Sequence, residues 1–81
     1  MDTITTATQL GRNLVARRKA LHLSQQQMAR QLGISQNRLS ELEAHPESLT
    51  LERLLVLLNL LNLELGVRER TGSARTRRVE W

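Results

Sequence analysis

Residues Leu23 to Glu43, LSQQQMARQLGISQNRLSELE, are the stretch whose reading decides the fold. Ser24 is placed to cap a helix, and Gln27, three residues on, to return a bond to the cap's own N–H. Met28, Ala29 and Leu32 then fall at helical spacing on one face. Gly33 is expected to stop that helix, because glycine enters the left-handed conformation without a Cβ penalty. Ile34 follows as an apolar plug, and Ser35 caps a second helix whose inward face is Leu39 and Leu42. Two short helices joined by a Gly-containing turn predict a helix-turn-helix, whose second helix enters the DNA major groove. The outward face of that second helix carries Gln36, Asn37, Arg38 and Glu41, which are side chains that read base edges, with Ser35 and Ser40 beside them. Gln25, at the start of the first of the two helices, is expected to hold a phosphate by side chain and helix N-terminus together. The bland alternative is a helical bundle with a polar face.

The chain has 81 residues, room for one domain. A domain of that size buries only about 60% of its unfolded surface, so association with a partner would help it. A formal charge of +4 suits a polyanion without proving one, since ribosome-bound and membrane-surface proteins share it. The absence of cysteine rules out disulfides and thiolate metal sites. No apolar run reaches the roughly 18 residues that span a bilayer, and MDTITTATQL has no secretory core, so a cytoplasmic protein is expected.

Residues 1–5 read as a flexible arm. Thr6 with Gln9 repeats the capping pattern, so a first helix is expected from about Ala7 to Leu21 with Leu10, Leu14, Val15 and Leu21 apolar. Arg17, Arg18 and Lys19 near its end suit the helix dipole or phosphates equally well, and His22 is read as dipole compensation too. The segment AHPESL is a loop. Thr50 caps a fourth helix in which Leu51, Leu54, Leu55 and Leu58 form one stripe, expected to close the core. Val56, Leu57, Leu60 and Leu61 lie on other sides, and a helix apolar nearly all round needs burial nearly all round. From Leu63 the period changes to two: Leu63, Leu65 and Val67 alternate with Glu64, Gly66 and Arg68, as in a half-buried strand. A lone strand leaves its ladder groups unpaired, so residues 63–70 are expected to pair with a second copy. The interface of that homodimer is expected at Leu57, Leu60, Leu61, Leu63, Leu65 and Val67.

Residues 6–62 thus read as the DNA-binding domain of an all-α protein of four to five helices, with one C-terminal strand pairing across a dimer. Gln25, Gln36 and their surroundings resemble the lambda-repressor-like helix-turn-helix proteins of the lambdoid phage repressors and Cro. That resemblance implies a partly buried ion pair between Arg18 and Glu43. The leucine-rich fourth helix, the LELGVRE strand and the terminal Glu80-Trp81 narrow the likeness to the HipB-type antitoxins. Those are dimeric repressors of an inverted-repeat operator that bind and neutralise a HipA-like serine/threonine kinase toxin. The tail, residues 71–81, lacks periodicity and is expected to be disordered, with Trp81 reaching a toxin or a protease. The alternatives are a stand-alone phage or plasmid repressor and a scaffold that acts only between proteins. His22 and His45 stand apart from any carboxylate cluster, and no phosphate loop or nucleophilic set is present, so neither enzyme activity, metal nor cofactor is expected.

Overall fold

The computed structural model describes residues 3–70, and both halves of the capping box at Ser24 are in place. Ser24 Oγ accepts from the Gln27 N–H at 3.0 Å, and Gln27 Oε1 accepts from the Ser24 N–H at 2.9 Å. They open α2 (Gln25–Leu32), which stands between α1 (Ala7–Ala20) and α3 (Gln36–Ala44). A 3-10 turn, Pro46–Ser48, leads to α4 (Leu51–Leu60). Thr6, Ser35 and Thr50 cap the other three helices, each accepting from a backbone N–H three residues on. The box expected at Thr6 is only half formed, because Gln9 Oε1 accepts from the Thr5 N–H at 2.7 Å instead.

Three of the helices end in the same way. Leu23 N–H donates to Arg18 O at 3.0 Å, Ile34 N–H to Ala29 O at 3.0 Å, and Leu63 N–H to Leu58 O at 2.8 Å. Each of these closing bonds spans one left-handed residue: His22 (φ 60), Gly33 (φ 74) and Asn62 (φ 59). Only the glycine of the three was legible. His22 therefore does more than offset a dipole, since it holds a conformation that costs an L-residue about 1–2 kcal/mol.

The core joins Leu14 of α1, Met28 and Ala29 of α2, Leu39 of α3, Leu57 and Leu58 of α4, and Leu61 at the C-cap of α4. Leu57 (3% exposed) and Leu61 (0%) are thus the opposite of what the leucine pattern suggested. Both were expected on the dimer surface and both lie inside their own domain. Leu51 (65%) and Leu55 (42%), expected to close the core, are exposed. The reason is rotational. At 100° per residue, Leu54, Leu57, Leu58 and Leu61 share one arc, and Leu51 and Leu55 fall on its flank. Leucines all round the helix leave no contrast from which to read its orientation.

Leu60 and Leu63 are half-buried against this core, whereas Leu65 and Val67 are exposed. Leu63 closes the end of α4, its N–H donating to the Leu58 carbonyl. Among the described residues no β-ladder forms, and residues 63–70 belong to no helix or strand. α1 meets the 3-10 turn at Gly11. A Cβ there would lie 2.8 Å from Pro46 Cγ and 3.0 Å from the carbonyl oxygen of Glu43.

Candidate nucleic-acid interface

Leu39 and Leu42 anchor α3 in the domain, and that anchoring turns Gln36, Asn37, Arg38, Ser40 and Glu41 outward, all exposed. Gln36, Asn37 and Ser40 make no side-chain hydrogen bond among the described residues. Arg38 Nη1 and Glu41 Oε1 lie 3.3 Å apart, one helical turn from each other and both more than half exposed. Such a pair contributes under about 1 kcal/mol, so it yields readily to a better partner. Ser35 Oγ accepts from the Arg38 N–H at 3.0 Å, which leaves its O–H free to donate. The six residues expected here are all exposed, Ser35 at the cap of α3 and the other five along it.

Gln25 is also tied within the domain. Its side-chain Nε2 donates to Glu43 Oε1 at 2.8 Å, so half of its donor capacity points into the protein. A phosphate can take only the second amide N–H.

Glu43 is the hub beneath this surface. Arg18 Nε donates to Glu43 Oε2 at 2.6 Å and Nη2 to Oε1 at 3.2 Å. The fork is bidentate, the arrangement that gives an arginine–carboxylate pair most of its strength and direction. Arg18 Nη1 also donates to the Leu23 carbonyl at 2.9 Å, just ahead of α2. The side chains of Arg18 and Glu43 are 8% and 11% exposed. Three helices thus meet at one pair of charges, and the pair implied by resemblance is present. Its neighbour Arg17 serves a different junction, donating from Nε to the Leu61 carbonyl at 2.9 Å at the end of α4. Neither the Gln25 contact nor the Arg17 contact was legible, because each spans 18 or more residues of sequence.

The model of the helix-turn-helix family matches residues 14–67, most of the chain. The chain belongs to that family. Within it the chain is similar to HipB of a HipA–HipB–O2–O3 complex, with 26% identity, a TM-score of 0.76 and coverage of 85% of this chain and 97% of that one. It is similar to the same degree of identity to a chain of a HipB–O1–O2 complex, with a TM-score of 0.77 and all of that chain covered. A structure described only as MDT Protein matches equally well, at 26% identity and a TM-score of 0.76. No curated protein matches the chain.

Among the described residues no group of three or more His, Cys, Asp and Glu is placed to hold a metal. No described helix is long and apolar enough to cross a membrane. Trp81, expected to contact a toxin or a protease, lies outside the described residues.

Proposed function

We propose that this chain is a sequence-specific DNA-binding antitoxin of the cytoplasm. It acts as a homodimer that represses its own operon and binds and neutralises a HipA-like serine/threonine kinase toxin. The observation that carries this reading is an exposed, polar α3 in a domain that follows HipB along nearly the whole of that chain. HipB occurs there in complexes with HipA and with O1, O2 and O3, and we carry that company over to this chain.

In this reading α3 enters the major groove. Gln36 contacts adenine, with Asn37 as a second adenine reader, and Arg38 takes guanine or phosphate after leaving Glu41. Ser35 and Ser40 contact the backbone, as does the second amide N–H of Gln25. Two copies then meet successive major grooves, which requires inverted half-sites about one helical turn apart. The dimer surface is drawn from groups that the fold leaves uncovered, Leu65 and Val67, with Leu60 and Leu63 at their base. Leu51, Leu55 and Val56 add exposed apolar area on α4. Trp81 supports the toxin contact by its chemistry, since tryptophan is among the residues that most often anchor an interface.

The test has two arms. The untagged product of the adjacent gene, if a kinase, is expected to co-purify with this chain. Gln36→Ala is expected to lose about 1–3 kcal/mol on the operator and much less on random DNA. Equal losses on both would move Gln36 from base reading to backbone positioning, and a wild-type chain without salt-dependent DNA binding would end the proposal.

A further inference from the structure

We propose that Glu43, which does not itself face DNA, is a positioning residue for DNA binding that acts by orienting Gln25. This inference rests on the reading of α2 and α3 as a DNA-binding pair. Glu43 Oε1 accepts from two donors, Gln25 Nε2 at 2.8 Å and Arg18 Nη2 at 3.2 Å, while Oε2 is held by Arg18 Nε at 2.6 Å. A carboxylate accepts only, so the Gln25 amide has a single possible sense: nitrogen toward Glu43, oxygen away. One of its two N–H groups is thereby spent inside, and the other is left in a defined direction.

The setting sharpens the point. Gln25 is the first residue of α2 and only partly exposed. The cap at Ser24 satisfies its own N–H and that of Gln27. The backbone N–H groups of Gln25 and Gln26 have no partner among the described residues. A free glutamine at this place would sample many rotamers, and ordering it on DNA would cost side-chain entropy. Glu43 removes that cost in advance, and Arg18 in turn fixes Glu43. The ion pair at the centre of the fold therefore sets a contact at its edge, and binding at that edge is coupled to the pair.

The experiment compares four full-length proteins on two duplexes. One duplex is enriched from a random-sequence library by the wild-type chain, and the other is an unselected sequence. The variants are Gln25→Ala, the paired replacement Arg18→Met with Glu43→Leu, and all three changes together. Replacing both charges by apolar groups of similar length leaves no stranded charge, so the fold is retained while Gln25 loses its acceptor. Helix content and melting temperature are recorded for each.

Gln25→Ala is expected to weaken binding to the selected duplex about tenfold, the size of one good hydrogen bond to a charged group. The paired replacement is expected to weaken it by a similar factor, and adding Gln25→Ala to it to cost less than twofold more. A paired replacement that is folded and binds as the wild type does would overturn the proposal, as would a full tenfold loss from Gln25→Ala in that background. If the paired replacement does not fold, the wild-type side-chain amide resonances decide. One Gln25 amide proton is expected to be shifted and protected without DNA, and a solvent-averaged amide would overturn the proposal. Failure of the wild type to enrich any duplex would instead remove the DNA-binding reading itself.

Discussion

The junction of α1, α2 and α3 and the apolar length of α4 solve opposite problems. At the junction, two opposite charges with little water contact are held by four hydrogen bonds, counting those from Gln25 and to Leu23. At the end of α4 Arg17 Nε donates to the Leu61 carbonyl, and along its length the question is which of many equivalent leucines goes inside. Polar burial is directional, so it selects one arrangement of the three helices and tolerates few others. Apolar burial has no direction, so the rotation of α4 is set mainly by the shape of what it packs against, with Arg17 fixing its end. The junction is thus defined by chemistry and α4 by fit.

That contrast is broken or sharpened most by Arg18→Ala. It strands Glu43 at low exposure and is expected to cost about 3–5 kcal/mol of stability, read from thermal or denaturant unfolding. An unchanged melting temperature would show that the pair carries no stability and erase the distinction, whatever happens to DNA binding. Next in size is a matched pair on α4. Leu61→Ala is expected to cost about 2–5 kcal/mol through a cavity in the core. Leu51→Ala, at 65% exposure, is expected to change the stability of the single domain by under about 0.5 kcal/mol. Both are measured at protein concentrations low enough to keep copies apart, and a reversed order of the two losses would mean that the helix is turned the other way.

Gly11→Ala tests the close approach of α1 to the 3-10 turn, where fit alone is at stake. The added methyl group would have to displace the Pro46 ring and the backbone at Glu43, and is expected to cost about 1–3 kcal/mol. A neutral result would show that this end of the domain gives way easily. The smallest effect is a gain. His22→Gly relieves a left-handed residue but adds entropy to the unfolded chain, for a net stabilisation of up to about 1 kcal/mol. A loss would mean that the imidazole contributes a contact that outweighs the backbone cost.

The caps show how much of this was legible beforehand. Ser24, Ser35, Thr6 and Thr50 each bond a backbone N–H three residues on, and Gly33 ends α2 as its lack of a Cβ allows. These are contacts within one turn of the chain, and a local pattern carries them. The outward face of α3 was legible on the same ground, since Leu39 and Leu42 declare the inward one. The ends of α1 and α4 were not. His22 and Asn62 take left-handed conformations that cost any L-residue more than glycine, though histidine and asparagine tolerate them better than most, and Leu23 and Leu63 pack beyond them.

Sequence by itself determined the helix-turn-helix, its caps and the exposed polar face of α3, because each depends on residues a few positions apart. Tertiary structure alone decided three things: that Leu57 and Leu61 face inward, that Arg17 holds the end of α4, and that Gln25 is tied to Glu43. Periodicity can report that a helix has an apolar face only when it also has a polar one. α4 has too little of the second, and its orientation waits on the shape of the surface left by the first three helices.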